Sequence, residues 1–189
     1  MDQKQKNVLK RLEKDSEKEG NPYWIISHET GEFLKGLIRK HKFKKVLEVG
    51  TSIGYSGIWI ASALRKTGGK LYTIESNDER YDIAAANFNE AGVNDIIQQL
   101  KGHAPDVEIP DMIDLLFLDA TKFEYKYYIS TYLFHMKKGG MIIADNAISH
   151  AEDLKDYRDY IFANKQLKSE LLDIGTGLFI SEIVGDASK

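Results

Sequence analysis

Acidic side chains stand where four apolar stretches of the sequence end, and these positions could contact a ligand. A carboxylate accepts hydrogen bonds from hydroxyl or cationic groups of a bound molecule. In a parallel sheet the carboxyl ends of the strands lie at one edge, so we expect these side chains to lie near one another. Asp114, by contrast, lies at the start of an apolar stretch. It is therefore expected at the opposite edge of the sheet. The four strand-end positions are Glu48, Glu75, Asp119 and the pair Asp145–Asn146.

The stretch from Val46 to Ile60 predicts a strand, a glycine-bounded turn and a helix, which is the opening of a nucleotide-type binding fold. Glu75 has the spacing of an acid that binds ribose hydroxyls, so NAD is one candidate ligand. The turn, Gly50-x-x-x-Gly54, lacks the tight Gly-x-Gly-x-x-Gly that brings a helix onto a pyrophosphate. A nucleoside without phosphates, such as S-adenosylmethionine, fits this turn better. The alternative is that both glycines only turn a strand into a helix.

Strands and helices alternate along the chain, which predicts a doubly wound α/β fold with right-handed crossovers. After the strand at Val46, we expect strands at 70–75, 95–101, 113–118 and 140–144, and an antiparallel edge hairpin of 167–174 and 178–184. The predicted sheet is thus seven-stranded and mostly parallel, with helices on both faces. Ser76 and Glu79 have capping-box spacing at the start of one helix. The predicted helices are 27–41, 55–65, 76–91, 124–136 and 152–164.

The composition fits one domain of 189 residues with a substantial core. We expect residues 1–20 to form a charged peripheral helix that ends at Gly20-Asn21-Pro22, and residues 21–189 to form the catalytic core. The sequence contains no cysteine and has a formal net charge of -3, which excludes thiolate metal sites and a global attraction to nucleic acid. Neither a signal peptide nor a bilayer-length apolar run is apparent, so no membrane partner and a cytoplasmic location are expected.

Taken in order, the motifs of residues 26–183 resemble class I S-adenosylmethionine-dependent methyltransferases of the small prokaryotic catechol and caffeoyl-CoA O-methyltransferase type. Each motif alone is weak, whereas the ordered set is specific. The resemblance implies a Rossmann-like sheet with S-adenosylmethionine as the methyl donor. It is carried by Ile26-Ser-His-Glu-Thr-Gly31, Val46-Leu-Glu-Val-Gly50, Gly54-Tyr-Ser56, Tyr72-Thr-Ile-Glu75, Ile113-Asp-Leu-Leu-Phe-Leu-Asp-Ala120, Lys122, Ala144-Asp-Asn146 and Gly175-Thr-Gly-Leu178.

The same resemblance implies a role for each matching residue. Glu75 would bind the ribose, and His103 and Ala104 would border the adenine. Asp119, Asp145 and Asn146 would bind Mg²⁺ or another divalent cation, and their hard oxygen atoms suit such a metal. Lys122 would lie beside the reacting hydroxyl, and Asp119 would share the catalytic role. The remaining cofactor-binding residues would be Glu48, Gly50, Ser52, Gly54, Tyr55, Ser56 and again Asp119.

The activity implied by the resemblance is metal-dependent methylation of a hydroxyl group on a catechol-like small molecule or on another molecule with vicinal oxygens. One alternative is O-methylation of a hydroxylated wobble uridine in tRNA, with local support from the basic segment Lys42 to Lys45. A non-catalytic S-adenosylmethionine-binding module is another. The segment 147–151 is shorter than in relatives, which predicts an open acceptor site or one completed by a partner subunit. A homodimer is therefore considered. Thr121 and His103 also depart from the family pattern.

Several other side chains have two possible roles. Tyr125, Tyr128 and Tyr132 share a helix face, which is typical of core or dimer packing and less often of stacking on an aromatic substrate. Trp24, next to Tyr23, could close over the acceptor site or anchor the amino-terminal helix. His150 is a candidate for the acceptor site, although a surface role is the more common one.

Overall fold

Seven strands form a single sheet in the order β3-β2-β1-β4-β5-β7-β6. The computed structural model describes residues 1–19, 22–110 and 112–185. The β1–β2, β1–β4, β2–β3 and β4–β5 pairs are parallel, and β7 is antiparallel to both β5 and β6. The predicted fold class is therefore confirmed. The strands are β1 (Lys45–Val49), β2 (Lys70–Glu75), β3 (Ile97–Lys101), β4 (Ile113–Leu118), β5 (Met136–Ala144), β6 (Leu167–Leu172) and β7 (Leu178–Ile183).

Helices cover both faces of the sheet, and each face has its own apolar cluster. One cluster contains side chains from the first four helices, and the other contains side chains from the last two. Short 3-10 turns occur at Ala104–Asp106, Lys122–Glu124 and Leu133–His135. The helices are α1 (Gln3–Glu19), α2 (His28–His41), α3 (Tyr55–Thr67), α4 (Asp78–Glu90), α5 (Tyr125–Tyr132) and α6 (Lys155–Ala163).

The amino-terminal helix α1 packs more closely than its charged sequence predicts. Its apolar stripe of Val8, Leu9 and Leu12 is at most 3% exposed and belongs to the core. Arg11 also donates hydrogen bonds to the side chains of Asn87 and Glu90 on α4, both at 2.8 Å. The predicted stop at Gly20-Asn21 lies outside the described residues. Among the described helices, none has the length and apolar content needed to cross a bilayer.

Several predicted boundaries in the second half of the chain differ from the structure. The helix predicted at 124–136 ends at Tyr132, a 3-10 turn follows, and β5 begins at Met136 instead of 140. A shift in the β4–β5 register near Ile113 accommodates the extra strand residues, including Gly139 at φ 76°. The helix predicted at 152–164 begins only at Lys155, because turns occupy the residues before it.

Tyr125, Tyr128 and Tyr132 are all at most 2% exposed, so core packing is the role that the structure shows for them. Asp114 lies at the amino edge of the sheet, as predicted. Its Oδ2 accepts hydrogen bonds from the backbone N–H groups of Lys44 and Lys45, both at 2.8 Å. The basic segment of residues 42–45 therefore lies at the edge opposite the carboxyl ends of the strands.

The capping box predicted at Ser76 is wrong by one residue. The N-cap of α4 is Asn77, whose side chain accepts a hydrogen bond from the backbone N–H of Arg80 at 3.0 Å. Asn77 keeps an extended backbone because its own N–H donates to Glu75 Oε1 at 2.9 Å. The carboxylate at the end of β2 thus delays the first helical turn by one residue.

Replacing Asn77 with alanine should lower the free energy of unfolding by about 1 kcal/mol, because an orphan helix N–H loses its acceptor. Ser76→Ala is the matched control and should change the stability by less than half as much. Urea unfolding followed by circular dichroism measures both. A larger loss for Ser76→Ala than for Asn77→Ala would contradict this capping assignment.

Candidate functional site

The loop between β1 and α3 approaches β4 so closely that it requires glycine. Gly50 has φ 101°, and a Cβ atom there would lie 2.1 Å from the backbone oxygen of Asp119. Gly54, at φ 86°, begins α3, and its missing Cβ makes room for the ring of Phe88. The backbone N–H groups of Gly50 and Thr51 both donate to Ile74 O at 3.1 Å. The loop is therefore fixed between β2, β4 and α4.

Glu75 connects this loop to the start of α4. Its Oε2 accepts the backbone N–H of Ser52 at 2.7 Å, and its Oε1 accepts that of Asn77. The residue is only 8% exposed. Since a carboxylate has lone pairs for about four hydrogen bonds, each oxygen can still accept one from a ligand hydroxyl. This arrangement is compatible with the predicted ribose contact.

A first cavity of about 210 Å³ lies over the ends of β1 and β2, and we call it the Glu75 cavity. Its lining includes both small residues and aromatic residues. Of the predicted site residues, Gly50, Glu75, His103 and Ala104 line it. The other lining residues are Trp24, Val49, Ile74, Ser76, Arg80, Gly102, Ala120, Thr121 and Tyr128.

A second cavity of about 350 Å³ lies over the ends of β4 and β5, and we call it the Asp145 cavity. Trp24, Ala120 and Thr121 line both cavities, which therefore adjoin. One molecule in each could thus approach the other across these three residues. The remaining lining residues are Ile25, Lys122, Asp145, Asn146, His150 and Thr176.

Asp119 and Asp145 are two largely buried carboxylates at neighbouring strand ends. Burial raises the pKa of both above the ordinary range, and the charge of Asp119 raises the pKa of Asp145 further. The positive charge of Lys122 lowers the pKa of Asp119 and so opposes the effect of burial, because Lys122 Nζ lies 3.1 Å from Asp119 Oδ1. The Thr176 hydroxyl likewise donates to Asp145 Oδ1 at 2.8 Å. A cation between the carboxylates would relieve the cost of keeping both ionised.

Asn146 adds an amide to this pair. It has φ 68°, and its Nδ2 donates to Ser149 Oγ at 3.4 Å and to Thr176 Oγ1 at 3.3 Å. These contacts use the amide nitrogen, and the amide oxygen is the atom that would bind a metal. Within residues 1–19, 22–110 and 112–185 there is no cluster of three or more His, Cys, Asp or Glu suited to a metal. Two carboxylates with one amide oxygen are nevertheless a donor set that suits Mg²⁺ retaining water ligands.

Glu48 lies beneath the glycine loop and is fully buried. Its Oε2 accepts a hydrogen bond from the Thr73 hydroxyl at 2.6 Å. Burial raises its pKa from 4.5 to about 7, while the Ser56 and Thr73 hydroxyls partly oppose this shift. Neither cavity has Glu48 or Ser56 among its lining residues. The Thr73 hydroxyl also contacts the Thr51 hydroxyl at 2.6 Å, so Glu48 is linked to the glycine loop through Thr73.

Two further predicted cofactor residues face away from the cavities. Tyr55 is 2% exposed and donates its hydroxyl to Glu13 on α1. Any contact of Tyr55 with a ligand would therefore come from its backbone. Ser52 donates its hydroxyl to the backbone oxygen of Tyr23 at 2.8 Å, which ties the segment before α2 to the glycine loop. That segment carries Trp24, one of the residues that line both cavities.

His103 stands at the rim of the Glu75 cavity. Its Nε2 lies 3.1 Å from Glu124 Oε1, and Glu124 also accepts the hydroxyl hydrogen of Tyr128. Arg80 and Thr176 line the cavities but were not assigned from the sequence. Arg80 stacks its guanidinium over the ring of Trp24 at 5.0 Å, and no local motif indicates this pair. Thr176 does lie within the Gly175-Thr-Gly177 motif, which could have pointed to it.

Comparison with known proteins yields a consistent result. A family model described as O-methyltransferase matches residues 1–173. The chain is 34% identical over 144 residues to a catechol O-methyltransferase of Niastella koreensis, which covers 72% of this chain and 64% of that protein. It is 32% identical over 131 residues to a catechol O-methyltransferase of Mycobacterium tuberculosis, covering 67% of this chain and 59% of the relative.

This chain belongs to the O-methyltransferase family. Two O-methyltransferase structures superimpose on most of it. An O-methyltransferase structure from Klebsiella pneumoniae has a TM-score of 0.84 and 26% identity, and covers 94% of this chain and 90% of its own. The Bacillus cereus O-methyltransferase, solved in complex with SAH, has a TM-score of 0.82 at 25% identity with the same coverage. The chain spans about three fifths of the length of the curated O-methyltransferases named above.

Replacing Glu48 with glutamine should flatten the pH dependence of stability. The folded chain holds the Glu48 proton up to about pH 7, whereas the unfolded chain releases it near pH 4.5, so stability falls as pH rises between these values. The shift corresponds to a contribution on the order of 3 kcal/mol.

Urea unfolding of both proteins at several pH values between 4.5 and 7.5, with a chelator present, measures the difference. Glu48→Gln should gain stability relative to the wild type as pH increases. Parallel pH profiles for the two proteins would contradict the raised pKa of Glu48.

Proposed function

We propose that the protein is a divalent-metal-dependent O-methyltransferase that moves a methyl group from S-adenosylmethionine to a hydroxyl next to a second oxygen atom. The observation that carries the proposal is the pair of adjoining cavities. One presents a carboxylate suited to a ribose. The other is lined by the Asp145 carboxylate, the Asn146 amide and Lys122, whose ammonium contacts the buried carboxylate of Asp119; Asp119 itself lines neither cavity. A catechol-like small molecule is the acceptor class favoured by the relatives. The cytoplasmic location stays a prediction.

The Glu75 cavity would hold the methyl donor. Glu75 would accept the ribose hydroxyls, and His103, Ala104 and Tyr128 would border the adenine. The relative from Bacillus cereus with bound SAH supports this assignment, because its fold matches over 94% of this chain. Glu48 and Ser56, which line neither cavity, would help to hold the glycine loop in place. Gly50 would let the donor approach the backbone of the loop closely.

The Asp145 cavity would hold the acceptor. Asp119, Asp145 and Asn146 would hold a divalent cation through oxygen atoms other than those that accept from Lys122 and Thr176. When bound, that cation would favour the ionised form of an acceptor hydroxyl and orient the neighbouring oxygen. Thr176 would keep its roles of holding the Asp145 carboxylate and accepting from the Asn146 amide.

Lys122 is the residue placed to manage the acceptor proton. Its Nζ lies 3.1 Å from Asp119 Oδ1 and 3.2 Å from the Tyr125 hydroxyl, and its side chain is 19% exposed. In the transfer, the acceptor oxygen forms a bond to the methyl carbon as the bond from that carbon to sulfur breaks. The hydroxyl proton leaves to a base, and the sulfonium becomes a neutral thioether. In its neutral amine form Lys122 would accept this proton and become the ammonium that contacts Asp119.

A tRNA acceptor is the second candidate from the sequence. The basic segment Lys42 to Lys45 was the local sequence feature that favoured tRNA. It lies at the amino edge of the sheet, away from both cavities. In the short segment 147–151, the backbone N–H groups of Ala147 and Ile148 donate hydrogen bonds to Gly177 O and Thr176 O. A small acceptor is therefore preferred. A non-catalytic binding module would bind S-adenosylmethionine without turnover.

The double variant Asp145→Ala/Asn146→Ala should lose methyl transfer by about a thousandfold or more, because the acceptor loses its metal contacts. S-adenosylmethionine binding, measured by calorimetry, should stay within about threefold of the wild type, since the Glu75 cavity is unchanged. Ser149→Ala, which removes only a neighbour of Asn146, is the control. Wild-type turnover by the double variant would exclude this metal site.

Lys122→Met should lower kcat by about 10² to 10⁴, the usual contribution of a proton-transfer group, with a smaller effect on donor affinity. The substitution keeps most of the length of the side chain but removes the ammonium. Initial rates with labelled S-adenosylmethionine and a catechol over a range of pH measure the effect. If kcat and its pH profile match the wild type, Lys122 has no role in proton transfer.

A further inference from the structure

Trp24 contributes to the wall of both cavities, although little of the residue is covered. It lines the Glu75 cavity and the Asp145 cavity, and it is 71% exposed. Its backbone has φ 47°, a left-handed conformation that is uncommon for a residue with a large side chain. Such a conformation persists where the surrounding contacts hold it. The position of the Trp24 ring therefore depends on a small number of specific contacts.

Arg80 supplies the contact to the ring itself. Its guanidinium carbon lies 5.0 Å from the centroid of the Trp24 ring, within the range of a cation–π interaction. Across residues 1–19, 22–110 and 112–185, Arg80 forms no salt bridge and no side-chain hydrogen bond, so no acid competes with the indole for its charge. Arg80 is half-buried and lines the Glu75 cavity beside Trp24. The stack on Trp24 is thus the direct contact that this charge makes.

Glu75 fixes the backbone on both sides of this stack. Its Oε2 accepts the N–H of Ser52, whose hydroxyl donates to the backbone oxygen of Tyr23, the residue before the stacked indole. Its Oε1 accepts the N–H of Asn77, whose side chain accepts the N–H of Arg80. Two hydrogen-bonded routes therefore lead from one carboxylate to the two partners. The ring and the guanidinium start from backbone positions that are fixed relative to each other.

We propose that Arg80 is a positioning residue that holds the Trp24 ring at the Asp145 cavity and thereby strengthens binding of the methyl acceptor. This inference rests on the proposed function, because it takes the Asp145 cavity as the acceptor site. Of the two cavities, Arg80 lines the Glu75 cavity alone, so it would act on the acceptor through the indole. A catechol-like ring suits an aromatic wall, since aromatic rings attract each other in offset and edge-on arrangements.

The size of the expected effect follows from the exposure of the pair. A cation–π contact at an exposed site corresponds to roughly a two- to fivefold change in an equilibrium constant. Without the guanidinium, the indole would spend more time away from the cavity wall, so the acceptor KM should rise by about this factor. The groups placed at the reacting atoms are unchanged, and kcat should therefore change by less than about twofold.

Kinetics of Arg80→Ala and Arg80→Lys test the effect on the acceptor. Initial rates with labelled S-adenosylmethionine, Mg²⁺ and catechol give kcat and KM, and calorimetry gives the affinity for the donor. Arg80→Ala should raise the acceptor KM and leave donor affinity within about twofold of the wild type. Arg80→Lys keeps a cation that can lie over the ring and should restore much of the wild-type KM. The control is Arg39→Ala, which removes an exposed arginine of α2 that lines neither cavity and should match the wild type.

A double-mutant cycle tests whether Arg80 acts through Trp24. Trp24→Leu removes the ring, so Arg80→Ala should have little further effect on the acceptor KM in that background. An equal effect of Arg80→Ala in both backgrounds would overturn the proposal. Weaker donor binding by Arg80→Ala with an unchanged acceptor KM would also overturn it, because Arg80 would then act on the donor directly.

Acrylamide quenching of tryptophan fluorescence tests the contact without turnover. The chain has two tryptophans, and Trp59 is only 2% exposed, so Trp24 dominates the quenching. Arg80→Ala uncovers one face of the ring and should increase the quenching constant, and Arg80→Lys should increase it less. Equal quenching of the wild type and Arg80→Ala would overturn the contact. A wild type that transfers no methyl group to catechol would overturn the proposed function and the effect on the acceptor, whereas the quenching result would still decide the contact.

Discussion

The contact between Gly50 and the backbone oxygen of Asp119 is the constraint on which the site depends. A Cβ atom at position 50 would lie 2.1 Å from that oxygen, so the end of β1 and the end of β4 can only come this close when residue 50 is glycine. The approach fixes Asp119 beside the glycine loop. It thereby sets the Glu75 cavity against the Asp145 cavity, with Ala120 and Thr121 between them.

The electrostatics of the site follow from this close packing. Three carboxylates, Glu48, Asp119 and Asp145, are withdrawn from water near one another, and each has a raised pKa for that reason. The protein offsets part of the cost with hydroxyl groups at Thr73 and Thr176 and with the ammonium of Lys122. A cationic donor and a divalent cation would both be stabilised in such surroundings. Binding of either cation would favour the ionised forms of these carboxylates.

The sequence predicted the sheet and the acids at its edge because both depend on local patterns. The β4 run from Ile113 to Leu118 is apolar throughout, and Asp119 follows it directly. Features that depend on long-range contacts were missed, such as the stacking of Arg80 on Trp24, 56 positions away in the sequence. Tyr55, predicted to contact the cofactor, instead donates its hydroxyl to Glu13 on α1. The backbone N–H of Asn77 donates to Glu75, and α4 begins one residue later than predicted.

Methyl transfer from labelled S-adenosylmethionine to a catechol, measured with Mg²⁺ and then with excess chelator, tests the central claim most directly. The account predicts transfer with Mg²⁺, loss of transfer in chelator, and recovery when Mg²⁺ is restored, while donor binding persists throughout. Equal transfer in both conditions would contradict the role given to Asp119, Asp145 and Asn146.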